Sequence, residues 1–268
     1  MTAPACRVED SWAALRGYTD ARIALGRSGS SLPTQEVLGF RLAHARARDA
    51  VLLELDLVAA SRDLEAIGVD PVPVVSRCKS KVEYLQRPDL GRRLSDESRV
   101  GLDYLAPAGG CDLAIVVADG LSSVAVRRQA PPLLSIFLPY CSGLKLAPIC
   151  LAKYGRVALA DEIGSIFGAK VALILIGERP GLSSPDSLGA YLTYGPEVGT
   201  TDERRNCVSN IRPAGLRALR AATKLDYLVH EALSRGVSGI GLKDEQAAES
   251  LAPSGSNDRP DAIPALGS

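Results

Sequence analysis

The chain has 268 residues, long enough to bury a sizeable core in one domain or two. Its 31 Lys and Arg balance its 31 Asp and Glu, so no net charge draws it to nucleic acid or to an anionic membrane surface. Three Phe, eight Tyr and one Trp offer little for stacking bases, and no apolar run is long enough to span a bilayer.

The opening MTAPACRVEDSWAALRG has early acidic residues and no continuous apolar stretch. It does not read as a secretory signal, and a cytoplasmic location is expected. Val8, Trp12 and Leu15 fall at i, i+4 and i+7, a weak stripe on a segment too short to hold a helix by itself. The segment up to residue 20 is expected to be mobile or to lie at an interface. Pro33 and Thr34 precede QEVLGFRLAHARARDAV, which predicts a helix with Thr34 as N-cap and Glu36 in its first turn. Val37, Leu38, Leu42 and Ala45 recur at helical spacing, predicting a stripe that faces a core. Ser95, followed by Asp96 and Glu97, marks another helix start, running to Leu105. Residues 1–105 thus read as a helical N-terminal region.

The next zone is more regular. CDLAIVVADG is short, apolar and rich in branched residues, the profile of a strand buried on both faces of a parallel sheet. Ser122 or Ser123 caps the stretch that follows, and Pro131 and Pro132 are expected to interrupt or restart it. LAPICLAKYG is the next strand, and ADEIGSIFGA a short helix ending near Gly168. VALILIGERPG repeats the buried-strand pattern, AYLTYG is a fourth and more exposed strand, and LRALRAATKLDYLVHEALSRG is a helix closing on Gly236. This alternation predicts an α/β domain over 106–244 with a mainly parallel sheet flanked by helices. Residues 245–268, rich in Pro, Ser, Gly and Asp, read as a disordered tail.

Ligands in open α/β sheets bind beyond the carboxyl ends of strands. Two such ends are visible, Asp119-Gly120-Leu121-Ser122-Ser123 and Gly177-Glu178-Arg179-Pro180-Gly181. Glu178 offers an acceptor and Arg179 a fork of donors, unless they merely pair with neighbouring loops. Neither nucleotide-phosphate fingerprint is present: no Gly-x-Gly-x-x-Gly follows a strand, and no Gly-x-x-x-x-Gly-Lys-Ser/Thr occurs. Gly-x-Ser-x-Gly is also absent, so a hydrolase working from Ser122 or Ser123 needs a general base that the sequence does not show. His230 falls within a long helix and His44 among arginines, both expected as packed or surface residues. The six cysteines form no Cys-x-x-Cys pair, which argues against zinc. Cys207 has Arg204 and Arg205 nearby, which could lower a thiol pKa; on chemistry alone it reads as a packed loop cysteine.

Several long strings resemble the ethanolamine ammonia-lyase light chain (small subunit). They are RIALGRSGSSLPTQEVLGFRLAHARARDAV, YLQRPDLGRRL, DLAIVVADGLSS, the run from YGRVALADEIG through GERPGLSSPDSLGAYLTY to RRNCVSNIRPAGL, and SGIGLKD, together spanning most of Ala21 to Asp244. SRCKSKVEYLQRP and the cysteine-rich LPYCSGLKLAPICLAKYG depart from the family's usual wording. The resemblance implies a Rossmann-like cobalamin-binding domain over 106–244. It implies a non-autonomous subunit of a carbon–nitrogen lyase, whose large subunit holds ethanolamine and most catalytic groups. Adenosylcobalamin is the implied cofactor, enclosed between the two subunits, and radical chemistry converts ethanolamine to acetaldehyde and ammonia. Three cofactor contacts carry over: Val157 in YGRV, Glu178 in GERP and Cys207 in NCVSN. Arg179 is added as a support for Glu178 or for an amide carbonyl. In this family an N-terminal stripe can also serve targeting to a bacterial microcompartment; packing on the large subunit or disorder is the favoured reading of this one. The alternative to a lyase subunit is a stand-alone α/β ligand-binding or scaffold protein.

Overall fold

The computed structural model describes residues 8–243, and the tail expected over 245–268 lies outside the described residues. Six strands build one sheet: β1 (Val72–Val75), β2 (Cys111–Ala118), β3 (Cys150–Lys153), β4 (Ala169–Gly177), β5 (Leu188–Tyr194) and β6 (Arg205–Ile211). Their spatial order is β1-β3-β2-β4-β5-β6. The first four strands run parallel, while β5 is antiparallel to β4 and β6 antiparallel to β5. Among the described residues seven α-helices accompany them: α1 (Thr34–Leu52), α2 (Leu57–Glu65), α3 (Lys81–Gln86), α4 (Asp96–Leu105), α5 (Ser123–Tyr140), α6 (Leu159–Ile166) and α7 (Ala218–Arg235).

The sheet is central because β2 and β4 are apolar on both faces. Leu113, Ile115 and Val117 of β2 pack into the layer formed by α2, α5 and α7. The smaller Ala114, Val116 and Ala118 pack into the layer formed by α4 and α6. Each Leu or Ile fully removed from water contributes roughly 1.5–3 kcal/mol, so these alternating positions supply much of the drive for layering. Ser95 caps α4 by accepting from Ser98 N, as its sequence predicts, and Gly236 closes α7 in the left-handed conformation.

Several expectations are corrected. Thr34 is the first residue of α1 rather than its N-cap; Pro33 holds that position, and its carbonyl accepts from the Glu36 and Val37 amides. Leu38 and Leu42 are exposed on α1, Val37 and Ala45 half-buried, and Ala50 is the one buried residue of that helix, so the predicted stripe lies largely open. The stripe of Val8, Trp12 and Leu15 is not among the corrected expectations: all three are exposed, Val8 pairs with Arg27 in an isolated antiparallel bridge, and a 3-10 turn spans Ala13–Tyr18. Pro131 and Pro132 do not break α5, which continues through them and Pro139. The carbonyls these prolines leave unpaired belong to Arg127, Arg128 and Ser135, all exposed residues that water can solvate. β5 is mostly buried, because β6 covers its outer edge while α5 and α7 cover one of its faces. Residues 8–105 contribute β1 to the sheet in addition to their helices. Ser98 Oγ accepts from Val75 N, and the Ser95 amide donates to Val75 O, while Pro73 carries no amide hydrogen. These contacts blunt the edge that β1 would otherwise present.

A buried ion pair fastens the antiparallel edge to the helix layer. Arg205 at the start of β6 donates through Nη1 to Asp161 Oδ1 of α6 at 2.7 Å and to Thr193 Oγ1 of β5 at 3.0 Å. Its Nη2 reaches Thr200 O at 2.6 Å. Truncating one partner leaves the other charge buried and uncompensated. Arg205→Ala is therefore expected to cost about 3–5 kcal/mol of stability, read by urea unfolding, with Asp161→Asn costing less.

Candidate functional site

The chain leaves β2 for α5 on one face of the sheet and β3 for α6 on the other, so the loops at the strands' carboxyl ends diverge. A crevice opens where they part, as the topology of such sheets requires. Its volume is about 440 Å³, and it is lined in part by Tyr84, Leu121, Arg156, Val157, Glu178 and Tyr191. Gly120, just beyond β2, sits at φ 53° with Gly177 O only 2.3 Å from where a Cβ would stand. A side chain there would force the β2 and β4 loops apart.

Glu178 follows β4 directly. Its Oε2 accepts from Ser187 Oγ and, at 3.2 Å, from Asn210 N, which orients the carboxylate over the sheet edge. Gly189 of β5 makes room for it, since a Cβ there would lie 2.9 Å from Oε1. Val157 sits just before α6, half-buried against the apolar layer of that helix. Cys207 is exposed on β6, opposite Tyr191 of β5, and lines a neighbouring hollow of about 270 Å³ rather than the cleft itself. The fold thus brings Val157 and Glu178 into one cleft and sets Cys207 one strand beyond the cleft's Tyr191 wall. Arg179 lines the same cleft as an exposed residue.

Two expectations about Cys207 change. It lies in a strand rather than a loop, and its thiol is pushed up rather than down, by burial against the sheet and then by the Glu178 carboxylate. Arg205 gives it no help, because that guanidinium is committed to Asp161. The serines after β2 are likewise occupied. Ser122 Oγ donates to Pro185 O and accepts from Ala125 N, and Ser123 Oγ donates to Leu53 O. Both serines are buried, and neither histidine is near: His230 is exposed on α7 with Nδ1 3.0 Å from Asp226 O, and His44 is exposed against Phe40 on α1. Among the described residues no group of three His, Cys, Asp or Glu side chains gathers where it could hold a metal. No helix among them is long and apolar enough to cross a membrane.

A buried polar network holds the cleft floor, and the sequence reading missed most of it. Asp119 is fully enclosed; its Oδ1 accepts from Gly155 N at 3.0 Å and its Oδ2 lies 3.6 Å from Lys81 Nζ. Lys81 Nζ donates to Gly120 O at 2.9 Å, and Tyr84 Oη to Gly155 O at 3.2 Å. Arg156 Nη2 donates to Tyr84 O at 3.0 Å, with its guanidinium 4.2 Å from the Tyr84 ring centroid. One signal was available for Arg156 and Val157: they follow β3 as Gly120 follows β2. Nothing local marks Lys81 and Tyr84, because α3 meets the strand ends only in the folded chain.

Burial pushes the Asp119 carboxyl up to about 6, against the pull of Lys81, whose own ammonium is pushed down by burial. A carboxyl raised above its ordinary 3.8 keeps a proton in the folded protein that the unfolded chain has lost. The stability this gives is present at the acid end and is lost as pH rises from about 4 to about 6. Asp119→Asn keeps an oxygen for Gly155 and removes the titration. Its unfolding free energy, measured in urea across that window, is expected to improve relative to wild type as pH climbs.

Comparison with known proteins gives this geometry a family. The model of the ethanolamine ammonia-lyase light chain matches residues 9–243. The small subunit of ethanolamine ammonia-lyase from Azotobacter vinelandii is 54% identical over 252 residues, covering 92% of this chain and 93% of its own length. That from Pseudomonas putida strain W619 is 53% identical over 247 residues, covering 91% of each chain. That from Pseudomonas syringae pv. tomato is 54% identical over 244 residues, covering 90% of this chain and 85% of its own. Similarity of this depth, along nearly the whole described chain, leaves one assignment: the chain belongs to the family of ethanolamine ammonia-lyase light chains, the small subunits of that lyase.

Proposed function

We propose that this chain grips one side of adenosylcobalamin at the interface with the large catalytic subunit, in an enzyme that turns ethanolamine into acetaldehyde and ammonia. The observation that carries the reading is the meeting of Val157 and Glu178 in one strand-end cleft, with Cys207 on the adjoining strand. The residues fit the cofactor's edge. Cobalamin presents amides, ribose hydroxyls, a phosphodiester and a flat base, and the cleft offers a fixed carboxylate acceptor, an apolar wall at Val157 and a ring at Tyr191. At about 440 Å³ the cleft is far too small to engulf a cobalamin, so a second body has to cover the remainder. When bound, the cofactor supplies radical chemistry from its cobalt–carbon bond.

This chain's own groups bind and orient. Glu178, steadied by Ser187 and Asn210, accepts from an amide or hydroxyl donor. Cys207, with its thiol pushed up, stays protonated and serves as a neutral contact rather than a nucleophile. Arg179 supports an amide carbonyl at the rim. In this reading residues 106–244 form the Rossmann-like cofactor-facing domain, and the apolar side chains exposed along α1, Leu38, Phe40 and Leu42 among them, are covered by the partner. The assembled enzyme works in the cytoplasm, free or inside a protein-shelled microcompartment.

The test mixes this chain with its matched large subunit, ethanolamine and adenosylcobalamin, beside each subunit alone. Activity is expected only in the mixture. Glu178→Ala is expected to weaken cofactor affinity about 10- to 100-fold, the worth of a hydrogen bond to a charged group. An associated, folded but inactive mixture would overturn the reading in favour of a binding or scaffold protein.

A further inference from the structure

The two edges of the sheet are finished differently. On β1 the Ser95 and Ser98 contacts with Val75 occupy the outer edge. On β6 the chain ties down only the ends. At one end Ser238 Oγ donates to Arg204 O, and Asn206 Nδ2 donates to Gly239 O and Leu242 O. At the other, Leu216 N donates to Asn210 O at 2.8 Å. Between these ties, over residues 207–209, no strand among the described residues pairs with the outer edge. A hollow of about 270 Å³ lies there between β6 and α7, with apolar surface from Val208, Leu216 and Leu228 and with Lys224 beside them. Cys207 lines it as the one exposed cysteine among the described residues. An open strand edge beside apolar surface is ready to take up another segment, and folded chains cover such edges.

Chain path and charge together indicate the occupant. Leu242 is tied to Asn206, itself a lining residue of the hollow, so the chain beyond Lys243 departs from its edge. Residues 244–268 carry Asp244, Glu245, Glu249, Asp258 and Asp261 against a single Arg259. Arg217, Arg220 and Lys224 recur at i, i+3 and i+7 along α7, a basic stripe on one face of the helix. The acidic residues further along that helix are engaged elsewhere, Asp226 against His230 and Glu231 against Arg235. The lengths agree as well. An extended chain covers about 13 Å from Glu245 to Glu249, and the helix rises about 10 Å between Arg217 and Lys224. Asp244 and Glu245 can thus meet Lys224 while Glu249 meets Arg217 and Arg220. A segment too polar to build a core of its own still orders on a surface that is already folded. We infer that, in the unassembled subunit, the acidic segment opening at Asp244 lies along the open edge of β6 and covers the hollow and Cys207, its carboxylates against the basic stripe of α7. The segment lies beyond residues 9–243, which the family model matches, and the inference is independent of the cofactor reading.

The experiment measures the rate at which a maleimide labels Cys207, followed by mass spectrometry in a Cys6→Ser background. The other four cysteines are buried. Deleting residues 244–268 is expected to speed labelling about 10-fold, the combined worth of a few exposed ion pairs. Rising sodium chloride is expected to speed it in the full chain and to leave the truncated chain unchanged. Reversing the charge of the helix, with Arg217→Glu, Arg220→Glu and Lys224→Glu together, is expected to match the deletion. Adding Asp244→Lys, Glu245→Lys and Glu249→Lys to that variant is expected to restore protection, a rescue that a misfolded chain would not show. Equal labelling of the full and truncated chains overturns the inference. So does protection that tracks protein concentration and survives the deletion, because a second copy then covers the edge.

Discussion

The Asp119 carboxylate is enclosed at the point where β2 ends, and it ties together segments far apart in sequence. One oxygen holds the Gly155 amide beyond β3, and the other faces Lys81 at the start of α3. Lys81 returns to the β2 loop through Gly120 O, and Tyr84 reaches Gly155 O from the same short helix. An ion pair this deep gains little net stability, because removing both charges from water costs about as much as their attraction returns. What it supplies is geometry. Three chain segments meet at one carboxylate, and any displacement of them strands a buried charge.

That constraint explains why the cleft wall is not a loose loop. Gly155, Arg156 and Val157 form one continuous strip whose first residue is held by Asp119 and whose second lies on Tyr84. The opposite wall is held differently. Glu178 is fixed by Ser187 and Asn210, and β6 is pinned to α6 through Arg205 and Asp161. Because α6 begins two residues after Val157, the Arg205 pair links the strand carrying Cys207 to the helix that Val157 introduces. The cleft is preorganised by two buried polar anchors, one on each side, and its own lining stays available to a ligand.

The open apolar positions of α1 sit oddly with a chain whose sheet is so thoroughly covered. Helical spacing there correctly signals a helix, but Leu38, Phe40 and Leu42 remain exposed in the single chain. Periodicity reports that a face wants burial; it does not say whether the covering surface lies in the same polypeptide. A subunit of a larger enzyme is where such a mismatch is expected.

The sequence by itself determined the central parallel strands, because runs such as LAIVVA are apolar on both faces and rich in branched residues. It also determined the Ser95 and Gly236 helix boundaries, where one residue's chemistry fixes the local backbone, and the strand end that carries Glu178. Family strings singled out Val157 and Cys207, which no local pattern marks. Tertiary structure alone decided the rest. β1 is four residues long with a proline, and β6 is largely polar, so each is a strand only because a neighbour supplies its hydrogen bonds. α5 runs through its prolines because packing on the sheet outweighs the lost bonds, whose carbonyls reach water. Lys81, Tyr84 and Arg156 meet by converging from α3 and the β3 loop, and a contact between residues some seventy positions apart is fixed by folding and not by spacing.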